Sequence, residues 1–425
     1  MKTSHSLGVL NRLAASYVNL VLAVGEHDPD YVDSYYGPEE IRTAVKAEKP
    51  SLAVIRQRAS AAIAELQAVA ETRLDELLRL RRTYLLKQLR SLIARTDILG
   101  GKKLSFNEEA KLLYDASPPS FEESHFASII EEMNGLLPGR GSVPDKFTAY
   151  RAKHVIPPAK LDAVFTAAIS ESRKRTKAHV SLPEQESFTV EYVTGKSWSG
   201  YNWFKGSAHS LIQVNTEFPI FIDRAVDLAS HEGYPGHHVY NSLLEASLVR
   251  EKRWMEFSVY ALFSPQSLIA EGTANYGIEM AFPGPERVNF EREVLFPMAG
   301  LPPANAEQYY RIHTLSLRLA YAGNEAARKY LDGEITREKA VEWLVSYALM
   351  PKDRAEQRTK FFDQYRSYVI NYNLGQDMVK RFIEGRGGTP AKPQLRWDLF
   401  TELLSTPRVP SGLIPLGEKR APRAL

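Results

Sequence analysis

Three of the ten histidines in this 425-residue chain fall within eight positions, in the run His231-Glu232-Gly233-Tyr234-Pro235-Gly236-His237-His238. Imidazoles and a carboxylate at this density suit metal binding and proton transfer. In the H-E-x-x-H zinc motif, two histidines four residues apart share one helix face, and the Glu between them is a general base. Here the fourth residue after His231 is Pro235, so the run reads as that motif with two residues inserted. On an unbroken helix His237 points about 240° away from His231, and His238 realigns only about 10 Å further along the axis. Neither shares a metal with His231 in that geometry. Pro235 removes a backbone donor and Gly236 permits unusual dihedrals, so a widened or broken turn is what would bring one of them back. The competing reading is a hydrogen-bonded His cluster at a helix break, with no ion.

A catalytic zinc takes three protein ligands and leaves a position open. Glu271 is the candidate for the third, because it interrupts the apolar positions Leu268, Ile269, Ala274 and Ile278 of a predicted helix over 266–280. A carboxylate in such a stretch needs a compensating partner. Asn275, one turn on, is placed to support a ligand from behind. A surface position or a helix ion pair is the alternative for Glu271.

Composition restricts the donors further. The chain has no Cys, which excludes disulfides, thiolate zinc, Cys-bound iron–sulfur clusters and a Cys nucleophile. Any metal is therefore held by nitrogen and oxygen. With 54 Lys+Arg against 51 Asp+Glu the net charge is only +3, which gives no concentrated basic face for nucleic acid. The locally basic stretch 77–95 follows Glu71, Asp75 and Glu76 and reads as a solvated helix face. The longest apolar run, 18–24, is too short for a membrane span, and Leu10, Leu13, Ala14, Tyr17 and Val21 describe an amphipathic first helix instead of a signal peptide. A cytoplasmic location follows by default.

The elements that must position the cluster are mostly helical. Helical periodicity covers 51–98, 104–115, 121–136 and 158–178, then 221–232, 237–250, 266–280, 306–331, 336–348 and 353–384. Between them, 188–193, 198–204 and 210–216 have β character and predict one small antiparallel sheet just before the cluster. The last forty residues are richer in Pro and Gly and are expected to wrap the surface. The expected fold is mainly α with one small sheet. An N-terminal helical region, 1–182, precedes a catalytic region, 183–425, in one continuous fold.

The run HEGYPGHH, followed by AEGTANY at 270–276, resembles the bacterial DUF885 family, with its HExxPGHH and downstream EGxAxY segments. Tyr372-Asn373-Leu374-Gly375 is similar to the family's Y-x-[IL]-G element, while Thr273 stands where many relatives carry Trp. The resemblance extends to helical zinc peptidases of the neurolysin-like gluzincin group. It implies a large, two-lobed helical fold with a deep cleft and a sheet whose edge lines it. On that pattern 210–216, carrying Asn215, is the edge strand that binds an extended peptide. Gly236-His237 matches the pair that holds the second ligand, which points to His237 as ligand and His238 as a neighbour facing the substrate.

The function implied is hydrolysis of a peptide or small amide, with one Zn²⁺ on His231, His237 and Glu271 and with Glu232 as general base. His238, Tyr372 and Tyr276 are candidate donors to the oxyanion, and Arg366 is a candidate for a substrate carboxylate or for a helix surface. Trp198, Tyr201, Asn202 and Trp203 either line the cleft or cover the sheet. Two readings of other kinds compete: a zinc hydrolase of a non-peptide amide or ester, and a non-enzymatic helical scaffold.

Overall fold

A computed structural model describes residues 2–414. The chain is mainly α. The first helix, Lys2–Gly25, buries Leu10, Leu13, Ala14, Tyr17 and Val21, the stripe that its periodicity predicts. One expectation needs correction here. Ser6–Gly25 is long and apolar enough, at mean hydropathy 1.5, to cross a membrane by length and composition, although 56% of that window is buried in the protein. The ground for a default cytoplasmic location is thereby removed.

The 51–98 region divides into Leu52–Ala68, capped by Ser51, and Glu76–Leu99, capped by Asp75. Its basic stretch is not a solvated face. Arg81 is fully buried and makes a two-pronged bridge to Glu256 at 2.6 and 3.0 Å, and Arg95 pairs with Asp28 at 2.6 Å. The nearby acids are not the partners of Arg81, whose carboxylate comes from a segment 175 residues away.

Two small sheets form. β1 (Val32–Tyr35) pairs antiparallel with β5 (Val259–Ala261). The predicted three strands appear as β2 (Ser187–Val193), β3 (Gly200–Gly206) and β4 (His209–Asn215). Their order is β2-β4-β3, with β2 parallel and β3 antiparallel to β4. Two expectations are thus corrected: the sheet is mixed, and the 210–216 strand is central. A central strand spends its backbone groups on both neighbours and has none left for a peptide. The C-terminal region also differs from a surface wrap. Pro393–Ser405 is a helix that buries Trp397, Phe400, Leu403 and Leu404; residues 415–425 lie outside the described part.

The apolar interior forms two clusters. One includes Tyr234, Val239, Leu268 and Ile269; the other includes Val226, Leu228, Ala229 and Ala281. The His-rich segment runs from one into the other.

The helix Pro265–Ala281, which carries Glu271, crosses the helix Ile370–Glu384, which carries Tyr372. The crossing is glycine on glycine. A Cβ on Gly272 would lie 2.4 Å from the Gly375 carbonyl carbon, and one on Gly375 would lie 2.7 Å from the Leu268 carbonyl oxygen. Backbone cannot rotate aside as a flexible side chain can, so Gly272→Ala is expected at the upper end of overpacking costs, about 3 kcal/mol. Urea unfolding measures this; a midpoint within error of wild type would refute the close crossing.

Candidate metal centre

The helix Asp223–Leu228 runs into a π-helical turn, Ala229–Gly233, which carries His231 and Glu232. The wider turn is closed by Tyr234 N–H donating to Ala229 O at 3.0 Å. π-turns of this kind often occur at functional sites. The chain then folds back at Pro235-Gly236 and starts a new helix, His237–Leu244. The reversal is so tight that a Cβ at Gly236 would lie 1.8 Å from the His231 carbonyl oxygen. Only glycine fits there.

The result brings His231, His237 and Glu271 together. His231 Nε2 lies 3.1 Å from His237 Nε2 and 3.3 Å from Glu271 Oε2; His237 Nε2 lies 3.6 Å from the same oxygen. Bonds of about 2.05 Å in a tetrahedron place ligand atoms about 3.3 Å apart. The triangle therefore matches one face of a tetrahedral metal site. Glu271 Oε2 is buried and accepts no hydrogen bond among the described residues, which suits a ligand atom. These three residues fit a divalent metal.

Supporting hydrogen bonds fix the donors. Asn275 Nδ2 donates to the Tyr372 carbonyl at 2.9 Å, which turns Asn275 Oδ1 toward His231 Nδ1, also at 2.9 Å. His231 must then carry its proton on Nδ1 and offer the Nε2 lone pair inward. Tyr368 O–H donates to Glu271 Oε1 at 2.7 Å, leaving Oε2 as the ligand oxygen. Tyr368 was not singled out by its sequence, although its position one turn before Tyr372 was a usable signal. Tyr368→Phe is expected to weaken metal affinity by about 10–100-fold, as loss of an outer-shell partner does. Competition against a chromophoric chelator checks this.

The charges at the centre act on one another. Burial pulls the His237 pKa down, but Glu271, Glu232 and Asp33 outweigh it and raise it to about 9. Burial opposes ionisation of Glu271, yet His237 and His231 hold it well below the carboxylate range. Asp33, on β1, was also missed. Its carboxylate accepts from the Tyr201 hydroxyl, and burial lifts its pKa to about 6. Nothing local marks a residue 198 positions before His231 as its neighbour.

Glu232 is buried, with Oε1 4.0 Å from His231 Nε2 and no protein hydrogen bond to its carboxylate among the described residues. Asn202 Nδ2 holds its backbone carbonyl at 2.7 Å, and a Cβ on Gly200 would come within 2.8 Å of Oε1. Asn202 is therefore a positioning residue. The Tyr201 and Trp203 rings lie 4.5 Å apart, tilted by 36°, beside Trp198, and Trp203 Nε1 donates to Gln213 of β4.

Four predicted site residues have other positions. His238 is fully buried; its Nδ1 meets Ser210 Oγ at 2.9 Å and its Nε2 meets Glu186 at 3.1 Å. It ties the helix to the sheet and does not face a substrate. Asn215 Nδ2 donates to the carbonyls of Lys196 and Trp198, both at 3.0 Å, so it shapes that loop. Tyr276 is fully buried and its hydroxyl accepts from Arg396 Nε at 2.9 Å. The predicted 353–384 helix breaks at Arg366, which has φ +50° and pairs with Glu109 at 2.6 Å. Tyr372 does approach the centre, its ring stacked 6.5 Å from that of His231.

A second group of donor side chains, Asp223, Asp227 and His313, also converges. Its carboxylates are already occupied by cations: Asp223 by Arg151 at 3.1 Å, and Asp227 by Arg287 at 2.8 Å and Arg224 at 3.3 Å. Those guanidiniums would repel a metal ion.

No protein-family model matches this chain, and no curated protein does. Among solved structures, a protein of Colwellia psychrerythraea described as a "putative lipoprotein" is similar at 15% identity and TM-score 0.52, over 88% of this chain and 71% of that one. The likeness shows a shared helical fold. A "putative lipoprotein" of unknown function from Shewanella oneidensis aligns at 13% identity and TM-score 0.39, over 87% of this chain and 79% of its own. Metallocarboxypeptidase 1 of Trypanosoma cruzi aligns at 13% identity and TM-score 0.39, over 95% of this chain and 92% of its own. Likenesses at 0.39 carry no argument about function.

Proposed function

We propose that this protein is a zinc-dependent hydrolase of amide bonds, most simply a peptidase, related to the DUF885 group that its HEGYPGHH and AEGTANY segments resemble. The observation that carries the reading is the triangle of His231 Nε2, His237 Nε2 and Glu271 Oε2 beside the Glu232 carboxylate, which accepts no protein hydrogen bond among the described residues. Two imidazoles and one carboxylate are a usual ligand set for catalytic zinc. Zinc held there would polarise a carbonyl and acidify water.

The chain supplies the rest. Glu232 takes a proton from the attacking water and passes it to the leaving amine. The Tyr372 phenol is the oxyanion donor: burial, with Glu271 and Glu232 nearby, raises its pKa far above the ordinary value, so it keeps its proton. Its hydroxyl makes no hydrogen bond among the described residues and is free to donate. The substrate backbone would lie along β3, an edge strand whose first residue, Gly200, is so near Glu232 that a Cβ there would meet its carboxylate.

The test measures metal content after growth with zinc, then digestion of a peptide library and of a panel of small amides and esters, each with and without chelator. About one zinc per chain and chelator-sensitive peptide cleavage are expected. A chain that stays metal-free when zinc is supplied would refute the hydrolase reading, and cleavage confined to the small-molecule panel would replace the peptidase.

A further inference from the structure

Among the buried arginines, most face an acid. Arg81 has Glu256, Arg328 has Glu325 and Arg396 has Glu279. The helix Lys352–Tyr365 carries two half-buried arginines that depart from this pattern. Arg354 and Arg358 stand four residues apart, hence on one face, and neither has a carboxylate within ion-pair distance among the described residues. Arg358 Nε is buried without a hydrogen bond, and its guanidinium lies 4.5 Å over Phe361 and 5.6 Å over Phe362. Arg354 reaches Gln357 at 2.9 Å and lies 4.3 Å over Phe218.

A guanidinium stays charged at any physiological pH, so even partial burial without a counter-charge is unfavourable. Burial lowers the Arg358 pKa and Arg354 lowers it further, while Tyr372 alone opposes them. Tyr372 is also the side chain that stacks on His231. Arg358 is thus within electrostatic reach of the group that borders the metal centre. Gln357 Nε2 donates to the Lys196 carbonyl at 3.0 Å, so the 196–199 loop closes on the same face.

We propose that Arg358, backed by Arg354, binds a carboxylate of the substrate and makes this an enzyme for short peptides with an anionic group near the scissile bond. The aromatic rings hold the guanidinium in place, and its planar fork suits a carboxylate. The inference rests on the hydrolase reading for its substrate, but the anion site can be tested separately.

The test uses the full chain loaded with zinc and carrying Glu232→Gln, so that bound peptide persists. Isothermal titration compares trialanine, its C-terminal amide, and an amidated tripeptide bearing one Asp. Trialanine is expected to bind at least about tenfold more tightly than its amide, as one charge-assisted contact provides. Adding Arg358→Gln should reduce the acid to the level of the amide and leave the amide unchanged; Arg358→Lys should recover part of the difference. If the Asp peptide matches trialanine, a side-chain carboxylate serves as well as the C-terminus; if it matches the amide, only the C-terminus is recognised. Equal binding of acid and amide by the parent protein overturns the proposal, as does an Arg358→Gln effect of equal size on both. Acid preference in a chain with no zinc-dependent hydrolysis would leave this site standing and remove the hydrolase. Hydrolysis with no acid preference would do the reverse.

Discussion

Glu232→Gln is expected to lower kcat/KM for peptide cleavage by about 10²–10⁴ while the chain keeps its zinc, because only the proton-accepting oxygen is lost. Each factor of ten corresponds to about 1.4 kcal/mol of transition-state stabilisation. Metal retention follows from the geometry: Glu232 Oε1 is 4.0 Å from His231 Nε2 and lies outside the three-atom triangle. The amide is nearly isosteric, so its packing over Gly200 and the Asn202 contact to its backbone persist. A variant that loses zinc together with activity would make Glu232 a ligand, and one that keeps more than a tenth of the activity would remove it as the base.

The adjacent histidines are expected to separate cleanly. His237→Ala should cost at least about 100-fold in zinc affinity, more than an outer-shell change, because a first-shell donor is lost. His238→Ala should leave zinc affinity within a fewfold of wild type but destabilise the fold by about 2–4 kcal/mol, since Ser210 and Glu186 lose a buried partner. Chelator competition and urea unfolding on both variants give the comparison; reversed outcomes would make His238 the ligand. Zinc affinity also depends on pH through His237. In the metal-free chain that imidazole holds its proton up to about pH 9, because burial is outweighed by Glu271, Glu232 and Asp33. Metal must displace this proton, so apparent affinity is expected to rise about tenfold per pH unit below that value and then level off. The sign for stability is the opposite. With the pKa raised above the unfolded value of ~6.5, the metal-free fold gains stability that is full below that pH and lost toward pH 9.

The same residues show why part of the site was legible in advance. Periodicity is a local property, so the apolar stripes of Lys2–Gly25 and Pro265–Ala281 could be read directly. The spacing of His231 from His237 implied a widened or broken turn, and both devices occur, a π-turn and then the Gly236 reversal. Glu271 stood out as a carboxylate on an apolar helix. The roles of Asn215, Tyr276, Arg366 and His238 were not legible, because each is set by a partner far along the chain or by strand order. Strand order also decided that β4 is central and β3 lies at an edge.

The sequence by itself determined which chemistry was available. With no Cys, a metal could only meet nitrogen and oxygen, and the densest such donors were at 231–238, with Glu271 forty residues on. Tertiary structure alone decided the geometry. The Gly272–Gly375 crossing brings Glu271 beside Tyr368 and Asn275 beside the Tyr372 backbone, and it is this contact that orients both ligands. It alone also set Arg358 within electrostatic reach of Tyr372, with no acid at ion-pair distance among the described residues. Residue type and spacing act along the chain, whereas burial and electrostatic compensation depend on what the fold brings near from elsewhere.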